Sequence, residues 1–344
     1  MKNNSIFVKS LKFALAIVSL NGLTSTSFAD DKKTPNAQYT QAITQQEQQA
    51  VLAYWTIGRM AQAVPMKLLQ EREKKSHSPV KASHGKSRII NGVAPSKWTN
   101  YSLIRGPLAF PEQGAAWPGS GAVAATTGKL FFTVPGEGGY DGTCSANAVV
   151  SENKSTIMTA GHCITKDGKQ FENIIFVPGY NNGPSSYGTW IAKWAFTTPQ
   201  WADGNDMEHD VATIVTNPLN GQLLTDVVGG SGLEFNRNAE VPEDPNLPPY
   251  YGKFYIFGYP GNFANAQTLT YCSGDAALLD AKPALGCNMT FGASGGPWFL
   301  NFDEKTGVGI QNSVNHATLF GSAIFGSYFD VVVEALYEKT QSFK

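Results

Sequence analysis

The stretch Gly292-Ala293-Ser294-Gly295-Gly296-Pro297 places a serine among closely spaced glycines. Glycine destabilises a regular strand or helix by about 0.5–1 kcal/mol relative to alanine, so this clustering indicates an unusual backbone path rather than ordinary packing. A turn of this kind can expose a serine hydroxyl while backbone N–H groups converge on a developing oxyanion. The chemistry that it predicts is nucleophilic attack by Ser294.

A serine nucleophile needs a base that takes its proton and an acid that orients the base. His162 lies in Thr159-Ala160-Gly161-His162-Cys163, directly after the apolar run Thr156–Met158. A strand that ends in small residues and then a histidine presents the imidazole at the strand terminus. His162 is therefore the predicted base, in preference to His209 and His316.

The candidates for the acid cluster in Asp206-Met207-Glu208-His209-Asp210. Asp210 immediately precedes the apolar run Val211–Val215, so its carboxylate can be buried at a strand start and accept a hydrogen bond from an imidazole. Asp206 and Glu208 are interpreted as solvated loop charges. We therefore predict Asp210 as the acid.

The serine stretch also fits G-x-S-x-G, the nucleophile pattern of the α/β-hydrolases. That fold requires the chain order serine, acid, histidine, whereas the order here is His162, Asp210, Ser294. The segment after Ser294 is also too short for the remaining strand–helix units. The α/β-hydrolase interpretation is therefore rejected.

Short apolar or alternating runs separated by turn residues dominate the chain from residue 121 onward, and such runs are typical of strands. The runs are Ala122–Ala125, Lys129–Val134, Ala146–Val150, Thr156–Thr159, Ile174–Val177, Thr189–Phe196, Val211–Val215, Lys253–Gly258, Gln267–Tyr271, Gly296–Leu300, Gly307–Val314 and Ser322–Ser327. The closing segment Asp330–Lys339 has apolar residues at helical spacing, with Asp330 as the predicted N-cap. The sequence predicts an all-β double barrel or sandwich that ends in a helix.

Residues 1–29 have the pattern of a secretory signal peptide. Basic residues precede the apolar run Phe13–Leu20, and Ser27-Phe28-Ala29 offers small residues for cleavage after Ala29. The run is too short to span a bilayer, and the chain has no other run of about 18 apolar residues. We expect an exported protein, periplasmic or extracellular, with no membrane segment after cleavage.

The expected export determines the oxidation state of the four cysteines, Cys144, Cys163, Cys272 and Cys287. In an oxidising compartment an even number of cysteines predicts two disulfides, here with three possible pairings. The chain has no C-x-x-C motif, which argues against a zinc site. No metal and no cofactor is expected.

Residues 30–88 are interpreted as a detachable pro-segment with a linker. Residues 30–70 are rich in glutamine and alanine and are predicted to be helical, whereas residues 71–88 are polar and open to proteolysis. Arg88 before Ile89 offers a tryptic site. Residues 1–88 are basic on balance and the remainder is acidic, so the composition gives no support for nucleic-acid binding.

Thr159–Cys163, Asp210-Val211-Ala212 and Gly292–Pro297, in that order, resemble the chymotrypsin-like (trypsin-type) serine endopeptidases. The secreted bacterial members, including the glutamyl endopeptidase group, look closest. The resemblance covers residues 89–340. It implies two antiparallel six-stranded β-barrels, residues 89–235 and 236–344, with a C-terminal helix and with the active site in the cleft between the barrels.

By this resemblance Ser294 attacks the scissile carbonyl, His162 acts as base and then as acid, and Asp210 holds His162 in the required tautomer. The N–H groups of Gly292 and Ser294 form the oxyanion hole. The resemblance also implies the disulfide Cys144–Cys163, which leaves Cys272–Cys287 as the second pair, although its spacing does not match the disulfides of trypsin.

The resemblance further implies a pocket for the residue before the cleaved bond, lined by Asn288, Thr290, Gln311 and Ser313. Trypsin-like specificity requires a carboxylate at the base of that pocket, and the segment around Asn288 has none. Glutamyl specificity requires a histidine where Gln311 stands. We therefore expect a neutral residue before the cleaved bond.

Activation departs from the trypsin pattern. Trypsin-type zymogens carry an aspartate just before the serine, and this aspartate pairs with the new amino terminus. Ala293 stands at that position here, so activation through that salt bridge is not expected. Ile89 is the mature amino terminus that the linker suggests.

The predicted function is that of a secreted, monomeric serine endopeptidase that cleaves protein or peptide substrates through an acyl-enzyme intermediate. An esterase with the same three residues is the enzymatic alternative, and a binding protein of protease fold is the non-enzymatic one. Such binding proteins usually lose one of the three residues, and all three are present here.

Overall fold

The computed structural model describes residues 37–70, 85–96, 114–118, 120–240, 248–279, 282–319 and 321–344. The predicted signal peptide and residues 71–84 of the predicted linker lie outside these ranges. The strands that precede the first barrel are β1 (Ala37–Thr40), β2 (Val64–Pro65), β3 (Leu69–Gln70), β4 (Arg88–Ile90) and β5 (Ala115–Ala116). The next strands are β6 (Thr127–Val134), β7 (Tyr140–Ala148), β8 (Thr156–Thr159), β9 (Thr165–Lys166), β10 (Lys169–Gln170), β11 (Glu172–Pro178), β12 (Trp190–Thr197) and β13 (Ala212–Thr216). The last are β14 (Gly232–Phe235), β15 (Tyr250–Gly258), β16 (Thr270–Leu279), β17 (Lys282–Gly286), β18 (Pro297–Asp303), β19 (Val308–Leu319) and β20 (Ala323–Tyr328).

The α-helices are short, and four of the six described begin with a side-chain cap. They are α1 (Gln45–Tyr54), α2 (Ile57–Gln62), α3 (Ala122–Thr126), α4 (Pro199–Gly204), α5 (Leu224–Val228) and α6 (Val331–Gln341). Helix α1 begins with a capping box, in which the Glu47 N–H donates to Thr44 Oγ1 and the Thr44 N–H donates to Glu47 Oε2. Asp330 caps α6, which confirms the predicted terminal helix.

Six antiparallel strands close the first barrel in the order β6, β7, β8, β13, β12, β11 and back to β6. Its interior is a buried apolar cluster that includes Leu130, Phe132, Ile157 and Trp190. Closure pairs each of these six strands with a neighbour on both sides over part of its length. Strands β1 and β2 pair with stretches of β12 and β7 that the barrel itself leaves open.

The second barrel closes in the same way, in the order β15, β16, β17, β20, β19, β18 and back to β15. Phe254, Ile256, Leu285 and Trp298 belong to its core. Strand β14 pairs parallel to β19, and β4 pairs antiparallel to β14, so both are added to this second sheet. The predicted all-β fold of two six-stranded barrels with a terminal helix is confirmed.

A third apolar cluster lies between the barrels and the terminal helix. Val333 and Leu336 of α6 pack with Val149 of the first barrel and Val314 of the second. All four side chains are fully buried. The C-terminal helix therefore holds the two barrels together, and with them the residues that each barrel brings to the cleft.

The run Ala122–Ala125, predicted as a strand, is instead helix α3. The N–H groups of Ala122 and Val123 donate to the carbonyl oxygens of Thr306 and Gly307 at 2.8 and 2.9 Å. Three of the first four residues are alanine, which has the highest helix propensity. The apolar character of this run reflects burial and does not indicate a strand.

Within residues 37–70, the described part of the stretch predicted to be helical, the prediction holds for α1 and α2. The segment Val64–Gln70 is extended and contains β2 and β3. Pro65 lacks an N–H and disfavours helical geometry at the preceding residue, Val64. The chain therefore leaves the helices at this point and runs on as an extended segment.

Candidate active site

His162 lies in a single 3₁₀ turn, Gly161–Cys163, that follows β8. A disulfide between Cys144 and Cys163 ties this turn to β7. On the other side the Trp201 ring is edge-on to the imidazole, with 6.2 Å between ring centroids. A Cβ at position 161 would lie 2.5 Å from the Trp201 ring, so the turn needs glycine there. These contacts fix the place of the imidazole.

Asp210 is fully buried at the start of the segment that leads into β13. Its Oδ1 accepts a hydrogen bond from the backbone N–H of His162 at 2.8 Å, and its Oδ2 lies 2.6 Å from Nδ1 of the same residue. An ionised carboxylate can only accept, so this contact suits the tautomer that has its hydrogen on Nδ1 and its lone pair on Nε2. The pair is therefore oriented as a general base requires.

Ser294 lies in a turn that brings the second barrel against the first. Gly292 and Gly295 have φ values of 92° and 79°, a region that favours glycine. A Cβ on Gly295 would lie 2.4 Å from the carbonyl oxygen of Ser145 and 2.8 Å from the N–H nitrogen of Ala160. The serine turn therefore packs against the chain that leads into the histidine turn.

Neither Oγ of Ser294 nor Nε2 of His162 has a hydrogen-bond partner within the described part of the chain, and both atoms are buried. The N–H of Gly292, one of the two predicted oxyanion donors, donates to the carbonyl oxygen of Met66 at 2.7 Å. The structure thus places the turn of Ser294 against that of His162, with Oγ and Nε2 unpaired and with the Met66 carbonyl on the N–H that was predicted as an oxyanion donor.

Two positioning residues escaped the sequence analysis. Ser145 on β7 donates its backbone N–H to the carbonyl oxygen of Ser294 at 2.7 Å. Asn315 on β19 accepts the N–H of Gly295 at 2.7 Å and donates Nδ2 to the carbonyl oxygen of Ala293 at 3.0 Å. No local pattern in the sequence marks either residue, because each acts on a turn that is distant along the chain.

His316 also lies at this site, at a bulge in β19. Complete burial lowers the pKa of His316 to about 3, although the charge of Asp210 acts in the opposite direction. The imidazole is therefore neutral at physiological pH. The sequence analysis assigned no role to this histidine.

Asn288 and Thr290 lie in the loop before the nucleophile and are held by polar contacts. Asn288 Oδ1 accepts the N–H of Gly114 at 2.7 Å, and Thr290 donates both its N–H and its hydroxyl to Asn262 Oδ1, at 3.1 and 2.8 Å. This loop also carries the disulfide Cys272–Cys287. The pairing of the four cysteines is the one that the resemblance implied.

Gln311 and Ser313 are fully buried. The Gln311 side chain accepts from Asn147 of the first barrel at 2.9 Å and donates to the Ser313 carbonyl oxygen at 3.3 Å. Ser313 donates its hydroxyl to Asn312 Oδ1 at 3.2 Å. These polar groups are satisfied within the barrel interface.

Asp206, a candidate acid that the sequence analysis set aside, contacts His209 and not His162. Asp206 Oδ2 lies 2.8 Å from Nδ1 of His209, and Asp330 Oδ2 lies 3.1 Å from Nε2 of the same residue. His209 is therefore enclosed between two carboxylates and links this loop to the start of α6. The rejection of His209 as the base agrees with this arrangement.

Two closed six-stranded barrels that bring a buried Asp–His pair and a glycine-flanked serine together define the chymotrypsin-like class of serine proteases. Comparison with solved structures finds the same class. Protease Anisep from Arthrobacter nicotinovorans is 38% identical, with a TM-score of 0.56, over 64% of this chain and 96% of that one. The thermostable serine protease AL20 from an extremophilic microorganism is 33% identical, with a TM-score of 0.54, over 65% of this chain and 100% of that one. The chain belongs to the bacterial chymotrypsin-like serine proteases, which are hydrolases.

More distant similarities were also found. A Glu endopeptidase structure aligns at 15% identity with a TM-score of 0.48, over 67% of this chain and 97% of its own. A curated relative from Bacillus subtilis (strain 168), described as an extracellular metalloprotease, is 22% identical over 187 residues, 52% of this chain. The chain spans about half the length of that relative, 54%. No protein-family model matches.

The name of the Bacillus subtilis relative raises the question of a metal ion. Among the described residues, the close group of potential ligands is Cys144, His162 and Cys163. The two cysteines are joined in a disulfide and therefore have no thiolate to offer. This group does not fit a metal ion.

None of the helices in the described ranges has the length and apolar character needed to cross a bilayer.

Proposed function

We propose that the protein is a secreted serine endopeptidase that cleaves peptide bonds through a triad of His162, Asp210 and Ser294. The observation that carries this proposal is the double contact of the Asp210 carboxylate with His162, at 2.8 Å to the backbone N–H and 2.6 Å to Nδ1. This contact holds the imidazole with Nε2 free to accept a proton. The two disulfides fit an oxidising, extracytoplasmic location.

In the proposed reaction Ser294 Oγ attacks the scissile carbonyl carbon while its proton moves to Nε2 of His162. The N–H groups of Gly292 and Ser294 stabilise the oxyanion, each donor contributing roughly 3–4 kcal/mol in comparable sites. The protonated imidazole then gives its proton to the leaving amine, and water hydrolyses the acyl-enzyme by the reverse sequence of proton transfers. Asp210 stabilises the imidazolium in both steps.

We also propose a neutral residue before the cleaved bond. The loop Cys287–Phe291 before the serine carries no acidic residue. Gln311 and Ser313 are hydrogen-bonded to each other, and they also bond to Asn147 and Asn312 respectively. A charged substrate side chain would find no fixed counter-ion among these residues, and burying an unpaired charge is costly.

The test uses the purified chain after removal of residues 30–84, with Ser294→Ala as the matched control. A serine-directed phosphonate should label the wild-type protein at Ser294 and leave the variant unlabelled. A peptide library should be cut only by the wild type, and a comparison of matched peptide and ester substrates separates an endopeptidase from an esterase. Failure of both labelling and cleavage in folded protein would reject the triad.

A further inference from the structure

Lys129 on β6 is a buried lysine that the proposed reaction does not use. Its side chain is 1% exposed, and its ammonium group lies 4.9 Å from the ring centre of Tyr180 and 5.2 Å from that of Phe131. Burial lowers the pKa of Lys129 to about 8. The ion pairs among the described residues do not include Lys129. A buried ammonium group of this kind is costly, so its polar contacts indicate what it does.

The ammonium group of Lys129 binds to the second barrel. Nζ donates to the carbonyl oxygen of Ala266 at 2.9 Å. Ala266 is fully buried and lies in the loop of residues 260–267, between β15 and β16. The next residue, Gln267, accepts the Tyr180 hydroxyl at Oε1 at 2.8 Å and the Asn182 N–H at its carbonyl oxygen at 3.0 Å. The first barrel therefore holds the end of this loop at two successive residues.

The 260–267 loop contains three successive residues in the left-handed region. The φ values of Ala264, Asn265 and Ala266 are 44°, 50° and 59°. Alanine disfavours this region, because its Cβ approaches the following carbonyl oxygen. Such a run persists only where surrounding contacts hold it. The bond from Lys129 to Ala266 is a contact that holds the last of the three residues.

The same loop also fixes the peptide that carries a proposed oxyanion donor. The N–H of Ala266 donates to the carbonyl oxygen of Pro260 at 3.2 Å, and the N–H of Gly261 donates to the carbonyl oxygen of Phe291 at 2.6 Å. The Phe291 carbonyl and the Gly292 N–H belong to one planar peptide unit, so a contact that fixes the oxygen also fixes the direction of the N–H. Three hydrogen bonds therefore lead from the buried ammonium group to this donor.

We propose that Lys129 is a positioning residue for the oxyanion hole. Its bond to Ala266 holds the left-handed turn against the first barrel, and the loop in turn holds the Phe291–Gly292 peptide with its N–H toward the reacting carbonyl. Lys129 itself touches no substrate and transfers no proton. The inference rests on the proposed function, because an oxyanion donor matters only in a catalytic site. The order of the loop can be measured without catalysis.

The kinetic test compares Lys129→Met with the unsubstituted protein, both produced as the full chain and then processed as in the test of the proposed function. Methionine keeps most of the length of the side chain but has no N–H to donate. We expect kcat to fall about tenfold and KM to change by less than about twofold, because the lost contact supports a transition-state interaction. If Lys129→Met does not fold, Lys129→Gln shortens the donor without removing the polar group, and the same change in kcat is expected.

Lys193→Met is the matched control for Lys129→Met. Lys193 lies on β12 of the first barrel, and its ammonium group also donates to a backbone carbonyl oxygen, that of Lys344, at 2.8 Å. This bond does not involve the 260–267 loop. The kcat of Lys193→Met should therefore equal that of the unsubstituted protein.

Ala264→Gly tests whether Lys129 acts through the left-handed turn. Ala264 is exposed, and glycine adopts its backbone conformation without strain. In the Lys129→Met protein, Ala264→Gly should recover about threefold in kcat, because the turn then depends less on its anchor. In the otherwise unsubstituted protein it should change kcat little. A role of Lys129 in overall stability alone would not produce this recovery.

Hydrogen exchange in the full Ser294→Ala chain measures the position of the loop without catalysis. Lys129→Met should speed the exchange of the amide hydrogens within residues 260–267 at least about fivefold and leave those of β12 unchanged, because it releases one anchor of the loop. Lys193→Met should not change exchange in the loop.

Three kinetic outcomes would overturn the proposal: an unchanged kcat in folded Lys129→Met, an equal loss in Lys193→Met, and no recovery with Ala264→Gly. If the unsubstituted processed protein is itself inactive, the proposed function fails. The exchange experiment then still decides whether Lys129 holds the loop, and equal exchange with and without Lys129→Met would show that it does not.

Discussion

The hydroxyl of Ser145 donates a hydrogen bond to the carbonyl oxygen of Gly292 at 2.8 Å and so joins a first-barrel strand to the turn of the nucleophile. The hydroxyl oxygen of Ser145 also accepts the N–H of Tyr259 at 2.8 Å, and the Ser145 N–H donates to the carbonyl oxygen of Ser294. Ser145 is fully buried. Ser145 therefore fixes the backbone that follows the Gly292 N–H, a proposed oxyanion donor, relative to the barrel that carries His162.

Ser145→Ala should lower kcat about tenfold and change KM little. The substitution leaves the Tyr259 N–H and the Gly292 carbonyl without their partner in a buried place, at a cost of about 1–3 kcal/mol. Because the loss falls on the turn that stabilises the oxyanion, it should appear in the chemical step. Steady-state kinetics on the processed protein measure kcat and KM separately.

Ser151→Ala is the control for Ser145→Ala, since Ser151 bonds to Asn153 away from the cleft. Its kcat should be unchanged. A Ser145→Ala protein with a lowered melting temperature but an unchanged kcat would show that Ser145 supports the fold only.

Asp210→Asn should lower kcat by roughly 10⁴-fold, the size of effect seen when a triad aspartate is replaced by asparagine in another protease. Asparagine can donate to Nδ1, so the imidazole can adopt the tautomer that places its hydrogen on Nε2, where the base must be free. Kinetics at neutral pH with a small ester and a peptide measure the effect. Asp206→Asn, which alters a carboxylate bound to His209, should retain kcat within a few-fold. Equal losses in the two variants would argue against Asp210 as the acid.

Much of the site could be predicted because its signals are local. His162 follows a strand, Asp210 precedes one, and the glycines around Ser294 provide the positive φ values of its turn. Each of these features lies within a few residues in the sequence. The order of the three motifs along the chain was then sufficient to reject the α/β-hydrolase fold in favour of the chymotrypsin-like one.

The contact between Met66 and Gly292 could not be predicted, because it depends on pairings between distant residues. Strands β2 and β3 have two residues each, too few for a periodic pattern. Leu68 lies in the stretch predicted to be helical but is buried in the second barrel, since an apolar residue in sequence does not identify the core that will bury it. Strand β17 was also not predicted, because it contains Pro283 and its apolar and polar residues do not alternate.

His209 should make stability depend on pH in the alkaline range. Burial alone would lower the pKa of His209, but Asp206 and Asp330 outweigh burial and raise it to about 10. A raised folded-state pKa stabilises the protein fully below the unfolded value of about 6.5, and the stabilisation decreases as the pH rises from there to about 10. The melting temperature of the wild type should fall over this interval.

His209→Gln removes the titrating group and should flatten this part of the melting profile, with the largest difference from the wild type near pH 6 and little difference above pH 10. Thermal melts of the Ser294→Ala background from pH 6 to 11 avoid self-digestion. Parallel profiles for the two proteins across the whole range would contradict the raised pKa.

Limited trypsin digestion should cut within residues 71–84 and spare the bond between Arg88 and Ile89. Arg88 begins β4, which pairs with β14, and its guanidinium contacts Glu334 at 3.0 Å and also Glu338. A protease must take up an extended, unpaired stretch of chain, and this arginine is held by a strand and by two carboxylates. Amino-terminal sequencing of the digested Ser294→Ala protein identifies the cut. Replacing Glu334 and Glu338 with alanine should increase cutting after Arg88, whereas rapid cutting there in the unsubstituted protein would show that β4 opens readily and that Ile89 is accessible as a mature terminus.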